Sequence, residues 1–237
     1  MVFKELVLSF CVLLTSVRSS LAPFIEACHE SDSQCNLRSA TNALPSIAGG
    51  VPALGISALD PMHLGRVRTN NAGLSMEFRD TTIKGLKNSQ ITKIVRHGRH
   101  LQLELKCSLE MRGDYTMSGR LLVMPIEGDG KYRIKIRDMV VDLKIDFGER
   151  RAGGDTFWSV QHWNQTSRVE TGASFRFQNL FKGNKKLSDG IHEFANNNWR
   201  EIFSEVAPPM VQKTVGQIVQ EVAKLFSKVP LKDLIKN

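Results

Sequence analysis

The chain has 237 residues, 41% of them hydrophobic and 24% charged, and Lys+Arg 32 against Asp+Glu 24 leave a net charge of +8. This composition excludes a disordered, collagenous or coiled-coil chain, and four cysteines are too few for a disulfide-built scaffold. The positive balance favours anionic partners without choosing among them, and beyond the first segment no apolar run reaches the ~20 residues of a bilayer span.

The first segment speaks for secretion. Lys4 sits in a short polar head, Leu6 to Val17 is apolar, and Val17-Arg18-Ser19 places small residues where a signal peptidase reads. Cleavage is expected after Ser19, with Ser20 and Ala22 as neighbouring alternatives, and residues 20–237 are expected to form one domain in an extracellular fluid. Losing Lys4, Arg18 and Glu5 lowers the charge from +8 to +7. Nucleic acid is not an expected partner of a secreted chain, nor is stable membrane insertion. Of the remaining cysteines, Cys28 and Cys35 enclose the polar loop HESDSQ and are expected to pair in an oxidising compartment. Their spacing matches no zinc pattern, and no metal is expected. Cys107 ends the alternation Leu101, Leu103, Leu105 and reads as a buried, inert thiol.

Next come Leu37, Ala40, Leu44, Ile47, Val51 and Leu54, stepping by three and four as one helical stripe. Pro45, Gly49-Gly50 and Pro52 lie within it, so the helix is expected to be kinked. It is either a packing helix or a soft element that can lift from an opening. From about Leu64 to Leu180 the period becomes two, the pattern of an antiparallel meander with one apolar face. Tyr132, Ile134 and Ile136 share one parity and Val141, Leu143, Ile145 and Phe147 the other, so a bulge is expected between them. Gly98, Gly128-Asp129-Gly130 and Gly153-Gly154-Asp155 are the expected hairpin turns. Residues 187–228 return to helix, with a kink or a new helix at Pro208-Pro209.

Apolar helix and one-faced sheet are natural partners, and a strongly curved sheet around the long C-terminal helix gives an α+β fold with a lengthwise apolar space, packed or hollow. The stretch Gly113-Asp114-Tyr115-Thr116-Met117-Ser118-Gly119-Arg120-Leu121-Leu122-Val123-Met124-Pro125-Ile126-Glu127-Gly128-Asp129-Gly130 resembles the central motif of the insect takeout and haemolymph juvenile-hormone-binding family. So do Phe177 to Leu187 (FQNLFKGNKKL), Phe194 to Ile202 (FANNNWREI) and the run from Gly50 to Pro61. The resemblance covers essentially the whole chain. It implies an antiparallel sheet curved around the helix, enclosing an elongated tunnel for a lipid-like ligand, and no enzymatic activity. The hormone-carrier branch has a second disulfide in the sheet where this chain has only Cys107. The takeout branch is therefore the nearer likeness, with its association with circadian rhythm. The implied ligand is a juvenile-hormone-like terpenoid, a fatty acid or another long apolar molecule.

Within the resemblance, parity assigns the tunnel. Tyr115, Met117, Leu121 and Val123 are expected to face inward, as are Leu103, Tyr132 and Ile134. Leu44, Ile47, Val51 and Leu54 are expected from the first helix, and Trp199 and Phe203 from the last. Tyr115 reads as a wall whose hydroxyl bonds a ligand oxygen, or as a core tyrosine bonded to backbone. No catalytic residue and no cofactor is expected, for the sequence contains no nucleophile elbow, paired-His metal helix or dinucleotide fingerprint. A cell-surface receptor is a further partner to consider. Arg112-Gly113-Asp114 belongs to the Gly-Asp-Tyr turn rather than to an adhesion motif. Arg96-His97-Gly98-Arg99-His100 reads either as a solvated hairpin tip or as a group that senses pH or holds an anion. Asn164-Gln165-Thr166 is a glycosylation sequon, usable if Asn164 faces solvent. The alternative to a carrier is a binder of anionic lipid or microbial surfaces.

Overall fold

Three long strands dominate the computed structural model, which describes residues 21–71 and 73–236. The apolar run Leu6–Val17 and the cleavage point expected after Ser19 lie outside the described residues. The long strands are β6 (His100–Leu121), β7 (Met124–Ala152) and β8 (Asp155–Phe177). Before them come β1 (Cys28–His29), α1 (Ser33–Gly49), β2 (Met62–Leu64), β3 (Val67–Asn71), β4 (Leu74–Lys84) and β5 (Gln90–His97). After them come α2 (Lys185–Asn197), α3 (Trp199–Val206), α4 (Pro208–Lys228), α5 (Leu231–Leu234) and β9 (Ile235–Lys236). The main sheet is antiparallel in the order β2-β4-β6-β7-β8, with β3 also on β4 and β5 also on β6. β1 and β9 pair separately and in parallel.

The 29 residues of β7 would run ~95 Å if straight, about twice the ~45 Å diameter of a compact chain of this size. The strand must bend, and it does so at a bulge. Register shifts fall between Cys107 and Leu109 on β6 and between Arg137 and Met139 on β7, with Asp138 at φ 54°. Ser108 Oγ accepts the Asp138 N–H at 3.0 Å, the Thr171 hydroxyl donates to the Asp138 carboxylate, and Lys106 Nζ lies 3.5 Å from it. Those partners, the Thr171 hydrogen bond foremost, hold the Asp138 carboxyl below its ordinary range. The bulge changes the parity of β7 as the sequence predicts. Tyr132 and Ile136 are buried before it, and Met139, Val141, Leu143, Ile145 and Phe147 after it.

Two turns match the expected glycines, with Gly98 at φ +56° and Gly153-Gly154 at φ +59° and +83°. The third does not. β6 turns into β7 at Leu122-Val123, with Leu122 at φ 54°, and Gly128 and Gly130 lie inside β7. They serve close approach instead of turning. A Cβ on Gly128 would stand 2.5 Å from the Tyr115 hydroxyl, and one on Gly130 would stand 2.7 Å from the Gln178 carbonyl oxygen.

The helices close what the sheet leaves open. α4 lies across the gap between the two edges: Gly216 takes the Trp163 ring of β8 at 3.3 Å from where a Cβ would sit, and Gln217 Nε2 donates to the His63 carbonyl of β2 at 3.2 Å. α2 covers the last residues of the free β8 edge, where unpaired strand groups would otherwise invite another chain. The Phe175 N–H donates to Asn196 Oδ1 at 2.8 Å and the Phe177 N–H to His192 Nε2 at 2.9 Å. The C-terminal helical run breaks at Asn198 as well as at Ala207, after which Pro208 opens α4 at its first position, where no N–H is needed.

The first helix differs from its predicted stripe. Helix ends at Gly49, Gly50 turns out at φ 88°, and a separate 3-10 turn holds Pro52–Leu54. The buried face is Cys35, Ser39, Ala43, Ile47 and Ala48, packed on β5. Asp32 caps the helix by accepting the Cys35 N–H at 2.9 Å, and Cys28 and Cys35 are joined by a disulfide with a Cα–Cα distance of 5.8 Å.

The two tyrosines of the chain share one aromatic cluster, each meeting the Phe177 ring. Tyr115 meets Phe177 edge-on at 4.8 Å, and Tyr132 meets Phe78 at 4.9 Å. The Tyr115 hydroxyl donates to the Gln178 carbonyl at 2.7 Å, and the Tyr132 and Thr81 hydroxyls are bonded at 2.7 Å. Burial pushes both phenols up to about 12 from 10.0. A group with a raised folded pKa contributes stability that is complete below its unfolded pKa and is lost as pH rises toward the folded one. Phenolate absorbance at 295 nm should therefore stay low in the native protein to about pH 11 and appear on unfolding, and stability should fall between about pH 10 and 12. Cys107, 4% exposed and pushed up to about 12 by burial alone, should stay unlabelled by a thiol reagent in a folded chain of residues 20–237. In denaturant without reductant, peptide mapping should find the label on Cys107 alone.

Candidate ligand-binding interior

The sheet's apolar face and the facing sides of α3 and α4 do not fill the space between them completely. Two adjacent chambers remain, of about 90 and about 50 Å³. Met111, Ile136, Met210 and Val211 border both, so these four side chains form the partition. The larger chamber extends along β6 and β7 past Leu103, Cys107 and Leu143. The smaller reaches Ile134, Phe175 and Phe203. Along β7 the chambers lie between the Tyr132 cluster and a second aromatic group, where Phe147 stacks on Trp158 at 4.6 Å and meets Phe226 at 4.7 Å.

The lining carries no carboxylate, imidazole or amine. Its one hydroxyl, on Thr214, donates to the Met210 carbonyl at 2.8 Å and is satisfied within α4. The Cys107 thiol is held neutral by burial and so is no nucleophile. Among the described residues, no buried side-chain polar atom lacking a partner borders either chamber. The arrangement can exclude water and hold hydrocarbon, and it offers no acid, base or metal ligand.

The expected tunnel residues divide by place. Leu103, Ile134 and Phe203 line the chambers. Tyr115, Met117, Leu121 and Tyr132 are buried in the aromatic end and border neither. Val123 is a correction: at 78% exposure it stands at the tip of the β6–β7 turn, because the chain reverses there before the strand's parity can carry it inward. Leu44, Ile47, Val51 and Leu54 are also elsewhere. α1 packs on the β5 side, and the turn containing Leu54 sits on α4, where Lys228 Nζ donates to the Leu54 carbonyl at 2.8 Å. α1 thus borders neither chamber. Trp199 lines an outer groove of about 490 Å³ between α3 and residues 165–169 of β8, with Arg200 4.3 Å over its ring. Phe203 borders both this groove and the smaller chamber. Asn164 is exposed on β8. Most of the lining was missed, the partition residues among it. Met111 continues the odd parity of Leu101 to Cys107 across the Ser108 bulge, and Met210 lies on the same stripe of α4 as Val215 and Ile218.

Comparison with known proteins agrees with this architecture. The chain is 24% identical over 228 residues to the circadian clock-controlled protein daywake of Drosophila melanogaster, covering 90% of this chain and 87% of that protein. It is 20% identical over 192 residues to a putative beta-carotene-binding protein of Schistocerca gregaria, covering 78% and 76%. The crystal structure of Epiphyas postvittana Takeout 1 superposes with a TM-score of 0.87 at 26% identity, over 90% of this chain and all of that one. The family model for haemolymph juvenile hormone binding protein matches residues 6–236, and the chain belongs to that family of hydrophobic-ligand-binding proteins.

Proposed function

We propose that the protein is a secreted, non-enzymatic carrier of a long apolar molecule such as a terpenoid, a fatty acid or a polyene, bound between the sheet and α4. The observation that carries this reading is the pair of almost wholly apolar chambers that share four bordering side chains, Met111, Ile136, Met210 and Val211. As they stand, the chambers are of the order of the ~150 Å³ cavity that takes up a single ring, well short of the ~300–1,000 Å³ of a site for a larger ligand. A long ligand must therefore join them by turning Met111 and Met210 aside, and unbranched thioethers do this at low cost. Sheltering roughly 15 carbons at ~0.8 kcal/mol each gives about 12 kcal/mol gross, from which association and ordering remove several kcal/mol. Micromolar to nanomolar affinity follows. Secretion is supported by the N-terminal apolar run and the Cys28–Cys35 disulfide, and exposed Asn164 is then a glycosylation acceptor. Among the described residues no helix is long and apolar enough to cross a membrane.

Mass spectrometry of an organic extract of the natively purified protein should return an intact apolar compound. Val211→Phe, which fills the partition, should weaken displacement of a fluorescent apolar probe by about tenfold, on the scale of overpacking by 1–3 kcal/mol. Val123→Ala, at the exposed tip, should leave it unchanged. If affinity instead collapses between ~50 and ~500 mM salt while Val211→Phe has no effect, the protein is a binder of charged surfaces and the carrier reading fails.

A further inference from the structure

The end of the sheet nearest the disulfide carries a second cavity that the apolar interior does not explain. It is a cleft of about 610 Å³ walled by the β5–β6 turn (96–99), the disulfide loop (29–31), Trp158 and the chain between Leu231 and Lys236. Arg96 forms part of this wall and is only 8% exposed. Its guanidinium has five N–H donors, yet Nε and one terminal nitrogen have no hydrogen-bond partner. The other terminal nitrogen lies 3.4 Å from the Glu30 carboxylate, and the group stands 6.0 Å over the Trp158 ring. A buried cation with unmet donors is costly, and an anion in the cleft is the chemistry that relieves it.

Glu30 displays what such an anion would do. One carboxylate oxygen accepts the Gly98 N–H at 3.0 Å and lies 3.6 Å from His97 Nδ1, while the other meets Arg96. The carboxylate is tethered to the loop between Cys28 and Cys35 and is 44% exposed, so it occupies the site from the solvent side. Arg99 and Lys236 also line the cleft, against Glu149, and His29 stands beside Glu30. Arg96, Arg99 and Lys236 outnumber the carboxylates of Glu30 and Glu149, and the excess grows when Glu30 swings out. Apart from Ser31, the rest of the wall's side chains are apolar: Leu231, Ile235 and Trp158, the last stacked on the Phe147 that bounds the interior.

We infer that this cleft is a headgroup site: Arg96 and the Gly98 N–H bind the terminal carboxylate or phosphate of an amphipathic ligand, displacing the resident Glu30 side chain, while the ligand's apolar part follows Trp158 inward. The inference rests on the carrier reading and narrows its ligand class to acids.

Dodecanoate, dodecyl phosphate and methyl dodecanoate should be compared by displacement of a fluorescent apolar probe from the wild type, Glu30→Gln and Arg96→Met. The wild type should prefer at least one acid to the ester by about tenfold or more, the scale of one charge-assisted hydrogen bond. Glu30→Gln should widen that preference several-fold, because the internal competitor is gone. Arg96→Met should abolish it and leave ester binding unchanged. Preference for dodecanoate over dodecyl phosphate assigns the site to carboxylates, and the reverse to phosphates. Since a buried arginine can be needed for folding, Glu30→Gln decides by itself: an acid-to-ester ratio that stays the same or narrows overturns the inference. Equal binding of acid and ester in both proteins overturns the headgroup site and leaves the carrier standing. Failure of all three probes overturns both.

Discussion

The bulge that joins Ser108, Asp138 and Thr171 is a small polar feature on which the apolar interior depends. Without it, β6 and β7 would run straight past the length of the molecule, and one parity along β7 would carry either Tyr132 to Ile136 or Met139 to Phe147 to solvent. One extra residue restores the inward parity beyond the bend and turns the strands around α4. The carboxylate that stabilises the bulge lies outside the core, so the sheet curves without placing an unpaired charge in it. The helices follow from the same curvature. An open, bent sheet leaves two edges facing across a gap, α4 spans that gap, and α2 caps the Phe175–Phe177 end of the β8 edge.

Much of this could be read from alternation alone. Leu101, Leu103, Leu105 and Cys107 announced the inner face of β6, and the parity change between Ile136 and Val141 announced the bulge. The misreadings share a physical cause: local signals were taken at face value where a distant contact overrides them. Gly128-Asp129-Gly130 has the composition of a turn, but its glycines make room for Tyr115, Leu180 and Gln178, residues that no local window contains. The true turn, at Leu122-Val123, carries no glycine at all, and Val123 was assigned inward on a strand that had already ended. The stripe from Leu37 to Leu54 was continuous in spacing, yet Gly50, at a positive φ of 88°, takes the chain out of the helix between two apolar residues.

The chambers were harder to see than the sheet. Their walls meet only in three dimensions, and the residues that divide them come from β6, β7 and α4. The motif positions that carry the family resemblance sit mostly at the aromatic end, where Tyr115 and Tyr132 spend their hydroxyls on Gln178 and Thr81. Those positions specify the architecture more than the lining, and the lining sets what can be bound. In the proposed carrier, a path partitioned by methionine, isoleucine and valine would select its guest by length and flexibility, since almost no polar group lines the two chambers.

The pairing of β1 with β9 bears on how such a chain is made. The hairpins of β5 to β8 join neighbouring segments, so each can form as soon as its turn has been synthesised, and the Cys28–Cys35 loop is equally local. The clasp that aligns Cys28 with Ile235 and His29 with Lys236 brings together opposite ends of the described chain, the kind of contact whose loop-closure cost is met late in folding. The disulfide end is therefore completed only once β9 has been made, and until then β1 has no strand partner. Growth from the N-terminus leaves the first strand waiting for the last.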